Sequence, residues 1–277
     1  MRKLPFTKMN GAGNDFVVFD NRHGQIVLDG QTIAALCDRH RGVGADGVLV
    51  VESADAGTAA DYRMRYYNAD GGEAEMCGNG ARCFARFAAR LADAMLTELS
   101  FQTMAGVIRA VIDGERVRLD MSVPNDGADL GALALEGGTN FPSAYFLNTG
   151  VPHVVVPVAN VETVDVQPLG RSIRYHDRFA PKGANANFIQ LVSPGEIILR
   201  TYERGVEGET LACGTGATAA ALVHADLNEI EGAGSVAVRV RSGDTLHIGF
   251  RRTGPLTFEN VTLGGPADFV FNGEIAL

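Results

Sequence analysis

Apolar positions along the chain fall mostly in short, β-branched runs: Phe16-Val17-Val18-Phe19, Val48 to Val51, Val107 to Val111, Val154 to Val158, Phe188 to Val192, Ile197 to Leu199 and Val236 to Val240. Such runs, punctuated by turn signals like Asp113-Gly114 and Ser242-Gly243-Asp244, predict strands. Helical periodicity is rarer. It covers about Ala81 to Leu96, where Phe84, Phe87, Leu91 and Met95 share a face, and a nearly all-apolar stretch from Ala217 to Leu227. A third, shorter candidate is Gln31 to Asp38. A helix that is apolar on most sides belongs in a core. The expectation is an α+β fold in which strands outnumber helices.

The pattern repeats. Cys77-Gly78-Asn79-Gly80-Ala81-Arg82 returns as Cys213-Gly214-Thr215-Gly216-Ala217-Thr218, each copy opening an alanine-rich helical stretch. A weaker echo, at nearly the same offset, links Met9-Asn10-Gly11 through Val18 with Leu147-Asn148-Thr149 through Val156. Two motif pairs at one offset predict duplicated halves. Their boundary is placed near Val123-Pro124, giving residues 1–122 and 123–265, with the tail at 266–277 packing back on the first half.

With 277 residues, 46% of them hydrophobic, the chain can bury one large core or two smaller ones. A formal net charge of −9 argues against nucleic acid or an anionic membrane as partner. The N-terminal stretch lacks the apolar segment of a secretory signal, and no apolar run is long enough to span a bilayer. The expectation is a cytoplasmic protein, in which the four cysteines, Cys37, Cys77, Cys83 and Cys213, are free thiols.

Most free cysteines act as small buried hydrophobes, and Cys37 and Cys83 fit that role. Cys77 and Cys213 do not. Each precedes Gly-x-Gly and a helix start, where first-turn N–H groups and the helix dipole favour negative charge. That setting should raise the thiolate fraction, and the same N–H groups suit a substrate carboxylate. If the halves face one another, one thiolate can remove a proton from one side of a stereocentre while the other thiol delivers a proton to the opposite side.

Other motifs fail on context. Gly42-Val43-Gly44-Ala45-Asp46-Gly47 matches the dinucleotide fingerprint literally, but a charged stretch precedes it and a strand follows; the fingerprint needs a strand before and a helix after. Gly214 to Ala219 fails likewise, with polar Glu207 to Thr210 upstream. No zinc spacing is present. None of Lys3, Lys8 and Lys182, the three lysines, has a setting suited to a pyridoxal phosphate Schiff base.

Taken together the motifs resemble the diaminopimelate epimerase family over almost the whole chain. They are Met9 to Phe16, Arg41 to Gly47, Tyr67 to Glu73 leading into Cys77 to Arg82, Asn148 to His153, Gly183 to Phe188, and Tyr202 to Thr210 ending at Cys213 to Gly216. The resemblance implies two pseudo-symmetric domains, each a mixed or antiparallel, barrel-like β-sheet wrapped around a central helix. It implies interconversion of LL- and meso-diaminopimelate without metal or cofactor, for lysine and cell-wall synthesis, by a homodimer. It assigns Cys77 as base on the LL isomer and Cys213 as base on the meso isomer. Asn14 would sit near the reacting centre, and backbone amides of Gly78, Asn79, Gly214 and Thr215 would hold the reacting carboxylate. Asn68, Asn185 and Arg204 would hold the distal end, and Glu203 would help bind an amino group. A guanidinium suits a second carboxylate, and asparagines can serve carboxylate or ammonium.

The chain departs from the family at a few positions. Some relatives carry Gln where this chain has Gly47, and Asn where it has Val151, so contacts from those side chains are lost. His153 is retained, with a role in orienting a loop or touching substrate. A proline-type racemase would share the cysteine chemistry but should lack the Glu203-Arg204 and asparagine set. Phenazine-type relatives dispense with the cysteine pair. A thiol redox protein would keep a resolving cysteine beside the attacking one, and a binding module would need no thiols at helix starts.

Overall fold

The computed structural model describes residues 3–74, 76–92, 96–136 and 138–276. The chain divides into two compact units, Met1–Asp120 with Gly265–Leu277, and Met121–Gly264.

In the first unit, β1 (Lys3–Gly11) and β2 (Asn14–Asp20) form a hairpin. Its turn residues Ala12 and Gly13 have φ of 58° and 97°, the handedness that two-residue hairpins require. Helix α1 (Gly30–Cys37) starts where the Asp29 side chain accepts from the Thr32 N–H, a polar N-cap. It leads to β3 (Gly47–Ser53), parallel to β2. Strand β4 (Tyr62–Asn68) runs antiparallel to β3, and the short β5 (Glu73–Ala74) folds back on it. Then come α2 (Gly78–Leu91), β6 (Glu98–Thr103) parallel to β4, β7 (Gly106–Asp113) and β8 (Arg116–Asp120).

The second unit repeats this order. Strands β9 (Asn125–Ala134) and β10 (Asn140–Asn148) pair, and β11 (Pro152–Pro157) completes a hairpin with β10. Helix α3 (Val166–Arg174) crosses over to β12 (Asn185–Ser193), parallel to β11; β13 (Glu196–Glu203) is antiparallel to β12, with the short β14 (Gly208–Thr210) against it. Helix α4 (Gly214–Leu227) follows, then β15 (Gly232–Arg239) parallel to β13, β16 (Thr245–Gly254) and β17 (Thr257–Pro266). The last strand, β18 (Asp268–Ala276), returns to the first unit and pairs antiparallel with β1, as β9 pairs with β10.

Each unit is a mixed sheet built around one helix. Helix α2 touches β1, β2, β3, β4, β6, β7 and β8; helix α4 touches β10 to β13, β15 and β16. A helix so enclosed must be apolar around most of its circumference. Helix α4 meets that with Ala217, Ala219, Ala220, Ala221, Leu222, Val223 and Ala225, all buried. Small side chains on α2 and α4 also let the strands close in around them.

The helices begin earlier than their apolar periodicity suggests, at Gly78 and Gly214, because a cysteine caps each. Helix α2 ends at Leu91, and Met95 lies outside the described residues. Helix α3 is missed by periodicity. Its buried face is only Val166, Gly170 and Ile173, too sparse to signal. Gly170 is there for space: a Cβ on it would lie 2.3 Å from Cβ of the buried Tyr202. Replacing Gly170 with Ala should therefore lower the melting temperature by several degrees, the overpacking cost being about 1–3 kcal/mol. An unchanged thermal transition would show that α3 can shift freely off β13.

Candidate active site

Cys77 is the N-cap of α2, with φ −133° and ψ 119°, and Cys213 is the N-cap of α4, with φ −118° and ψ 111°. Each sulfur accepts from the N–H three residues on: Gly80 to Cys77 Sγ at 3.5 Å, Gly216 to Cys213 Sγ at 3.4 Å. N-caps are usually Ser, Thr, Asp or Asn. A neutral thiol is a poor acceptor, whereas a thiolate in the same place gains both the charge-assisted bond and the dipole. The first-turn N–H groups of Gly78 and Asn79, and of Gly214 and Thr215, point out of the helix ends beside the sulfurs.

In the first unit a polar chain leads away from the cap. Arg82 Nη2 donates to Asn79 Oδ1 at 2.9 Å, Asn79 Nδ2 to Asn14 Oδ1 at 2.5 Å, and Asn14 Nδ2 to Asp46 Oδ2 at 3.0 Å. Asp46 and Asp15 share Arg39, and Asp15 also pairs with the buried Lys8 at 2.7 Å. Burial opposes ionisation of Asp15, but Arg39 and Lys8 outweigh it and hold its pKa at about 2. Asn14 is thus fixed from both sides, half-buried beside the Cys77 turn. Gly11 permits the approach, since a Cβ there would lie 2.7 Å from Asn79 O. Asn68 is exposed at the end of β4 and accepts from the Tyr66 hydroxyl at 2.7 Å.

The glycine-rich segment beside Asp46 is structural. The N–H groups of Gly42, Val43, Gly44 and Ala45 go to carbonyls of Asp38, Leu36, Leu36 and Cys37. They close the C-terminal end of α1 and so are spent, which is the opposite of a phosphate cradle.

In the second unit Thr149 Oγ1 donates to Thr215 O at 3.0 Å and ties the β10–β11 turn to the helix start. Cys213 is buried, with Thr215 Oγ1 at 3.5 Å from its sulfur. Glu203 is half-buried; desolvation raises its pKa, while the Thr210 and Cys213 side chains it faces pull the other way. Asn185 accepts the Arg204 N–H at 2.7 Å and donates to Pro152 O at 3.2 Å. Arg204 itself is half-buried, its Nη1 3.4 Å from Lys182 O. Beneath the cap lies a buried polar cluster. Asn187 Nδ2 lies 3.1 Å from His153 Nδ1 and donates to Val154 O at 3.0 Å, while Asn187 Oδ1 accepts from Thr201 Oγ1 at 3.0 Å. A Cβ on Gly216 would strike Asn187 Oδ1 at 2.5 Å. His153 Nε2 is buried with no partner among the described residues, and burial, aided by the Arg204 charge, lowers the His153 pKa to about 3.

Strand register equates the two units residue by residue. Phe16 faces Gly47 as His153 faces Asn185; Val18 faces Leu49 as Val155 faces Asn187; Leu49 faces Tyr66 as Asn187 faces Thr201. Under Gly80 lie Phe16 and Leu49, with Tyr66 edge-on to Phe16. Under Gly216 their counterparts are His153, Asn187 and Thr201. One floor is apolar and the other hydrogen-bonded. Asn187 lies within the Gly183 to Phe188 motif but was given no role, and Tyr66 lies just outside the Tyr67 to Glu73 motif; the signals were the Asn-x-Asn spacing, which puts Asn185 and Asn187 on one strand face, and the Tyr66-to-Asn68 spacing, which does the same.

Cys37 and Cys83 are buried, and desolvation pushes their thiols to about 11 and about 12. Among the described residues no three His, Cys, Asp or Glu side chains converge as a metal site, and no helix is long and apolar enough to cross a membrane.

The model of the family described as diaminopimelate epimerase matches residues 6–125 and 145–265. Diaminopimelate epimerase of Aquifex aeolicus is 41% identical, over 99% of this chain and 98% of its own length. That of Chlorobaculum tepidum is also 41% identical, over 97% and 100%. Among solved structures, a Bacillus anthracis phenazine biosynthesis protein of the PhzF family superposes with a TM-score of 0.74 at 16% identity, covering 100% of both chains. A probable proline racemase from Agrobacterium radiobacter gives 0.71 at 16%, over 99% and 93%. At that identity the two structures attest the fold alone.

Two outcomes follow from the thiols and the buried histidine. At pH 8, iodoacetamide should label the half-buried Cys77 first and leave Cys37 and Cys83 intact in the folded protein; peptide mapping showing Cys83 labelled as fast as Cys77 would contradict this. Folded His153 refuses a proton that the unfolded chain accepts near its ordinary value of 6.5. Stability should therefore be fully present above pH 6.5 and decline as pH falls toward about 3, with His224, also lowered by burial, adding to the slope. The stabilisation from Asp15 is fully present above its ordinary 3.8 and is lost only as pH falls from there toward about 2. Urea unfolding of His153→Gln should lose less stability between pH 6.5 and 4 than wild type; parallel curves would place the acid sensitivity elsewhere.

Proposed function

The chain belongs to the diaminopimelate epimerase family, and from that premise we propose that it interconverts LL- and meso-2,6-diaminopimelate with Cys77 and Cys213 as its acid–base pair. The observation that carries the reading is the repeated N-cap: the same residue, backbone conformation and hydrogen bond at equivalent points of two matching units.

An α-hydrogen beside a carboxylate and an ammonium is a weak acid. Removing it needs a base at the hydrogen and donors at the carboxylate, where charge accumulates in the transition state. Cys77 as thiolate takes the α-proton of the LL isomer, and the Cys213 thiol gives its own proton to the opposite face. The α-carbon is then inverted, Cys77 is a thiol and Cys213 a thiolate, and proton count and charge are unchanged. The reverse reaction starts from that state, with Cys213 as base on the meso isomer. N–H groups of Gly78, Asn79, Gly214 and Thr215 receive the reacting carboxylate, and Asn14, locked through Asn79 and Asp46, borders the reacting carbon. Asn68, Asn185 and Arg204 hold the distal end, with Glu203 for an amino group. His153 supports the Cys213 side through Asn187. The chemistry runs on protein groups alone, without cofactor.

Glu203, Arg204 and the asparagines also separate this reading from a proline-type racemase, whose substrate has no distal amino-acid end. In the same proposal the two units are the two halves of the enzyme. It works as a homodimer, as the resemblance implies, in the cytoplasm, where a reducing environment keeps thiols free.

Incubation with LL-diaminopimelate in D₂O tests it. We expect meso product carrying deuterium at one α-carbon only. Cys77→Ser and Cys213→Ser should each cut turnover by roughly 10²- to 10⁴-fold while keeping the fold, because serine is a good N-cap. Full activity in both variants would refute the mechanism; exchange into proline but not diaminopimelate would refute the substrate.

A further inference from the structure

Gly47 leaves a gap beside β4, and the Tyr66 side chain fills it. Gly47 opens β3 and pairs with Asn68 of β4. A Cβ on Gly47 would lie 2.5 Å from the Tyr67 carbonyl oxygen and 2.8 Å from Cε2 of Tyr66. The Tyr66 ring therefore rests directly on the Gly47 backbone. It also meets Phe16 edge-on, with centroids 6.1 Å apart and planes at 75°. Phe16 in turn sits beneath Gly80 of the Cys77 turn. Set between β3 and that phenylalanine, the ring presents its hydroxyl to Asn68, donating to Asn68 Oδ1 at 2.7 Å.

This bond decides what Asn68 can recognise. A carboxamide accepts at oxygen and donates at nitrogen, and an unrestrained one can turn either end toward a ligand. A phenol is protonated at neutral pH and acts here as donor, so it engages the oxygen. The Asn68 backbone is pinned as well, its N–H to Gly72 O and its carbonyl to the Gly71 N–H. What remains to face outward is the Nδ2 group, a pure donor. Asn185 in the second unit is held in the same sense, its Oδ1 taken by the Arg204 N–H.

We infer that Tyr66 is a positioning residue that fixes Asn68 as a hydrogen-bond donor for the distal carboxylate of the substrate, in the space that a longer side chain at residue 47 would otherwise occupy. The inference rests on the substrate-binding role proposed above for Asn68. It makes Gly47 and Tyr66 a matched pair: the ring needs the missing Cβ, and the hydroxyl supplies a polar group where residue 47 has none.

Steady-state kinetics of Tyr66→Phe, Asn68→Ala and the double variant test it, with melting temperatures recorded alongside. Tyr66→Phe should raise KM for LL-diaminopimelate roughly five- to tenfold, the loss falling on KM and not on kcat or the melting temperature. Asn68→Ala should raise KM at least as much. The double variant should be no worse than Asn68→Ala, because Tyr66 acts through Asn68. Three results would overturn the inference: an unchanged KM in Tyr66→Phe beside a raised one in Asn68→Ala, multiplied penalties in the double variant, or a fall in kcat and melting temperature that marks Tyr66 as structural. An unchanged KM in Asn68→Ala would instead sink the role of Asn68, and that of Tyr66 with it.

Discussion

A sulfur atom in the N-cap position is the interaction on which the site depends. The cap must satisfy an N–H of the first turn, and at Cys77 and Cys213 the acceptor is sulfur. A thiol does this weakly and a thiolate well, so the cap stabilises whichever of the two sulfurs carries a charge. The Gly-x-Gly that follows each cysteine is the steric counterpart. A Cβ on Gly216 would collide with Asn187, and one on Gly80 would press tightly on Leu49 and Phe16. The helix end and the sulfur are tied together by the N–H bond from Gly80 or Gly216.

Around that shared device the two units diverge in chemistry while keeping their strand register. Phe16, Leu49 and Tyr66 have His153, Asn187 and Thr201 as their counterparts. Beneath the Cys77 turn Gly80 rests on the apolar side chains of Phe16 and Leu49. The floor under Cys213 is a hydrogen-bonded cluster that contains a neutral histidine. Burial makes protonating that histidine costly, so it adds polarity without adding a charge. Duplication supplied the scaffold, and substitution at a handful of inward positions made the halves unequal.

The cysteine motifs, the glycines after them and the internal echo were legible because they are local: spacing alone marks a helix start, and repetition alone marks duplication. Strands such as Val48 to Val51 were legible because they are continuously apolar, as strands covered on both faces must be. Strands β9, β17 and β18 were not, because polar residues alternate through them and their pairing partners are set by tertiary contact. Helix α3 hid for a similar reason, its buried face resting on Gly170, a residue chosen for what it lacks. The polar chain from Arg82 through Asn79 and Asn14 to Asp46 joins residues distant in sequence, and no one-dimensional pattern encodes it.

Glycine carries two distinct messages in this chain, and only context separates them. In the segment from Gly42 to Gly47 it lets backbone pack on backbone: a Cβ on Gly42 would lie 2.1 Å from Ala35 O, and the neighbouring amides are consumed by the carbonyls of α1. In the cysteine turns it lets the helix start approach side chains of the strands below, Leu49 and Phe16 or Asn187, while leaving the first-turn amides directed out of the helix end. The difference lies in which end of a helix the glycines adjoin. At a C-terminus the exposed groups are carbonyls, and arriving N–H groups are spent on them; at an N-terminus the exposed groups are N–H donors that can serve an anion. The same letters therefore read as structure beside α1 and as chemistry before α2 and α4. That polarity, more than the presence of cysteine, is what distinguishes Cys77 and Cys213, each capping a helix start, from Cys37, a buried thiol at the C-terminal end of α1.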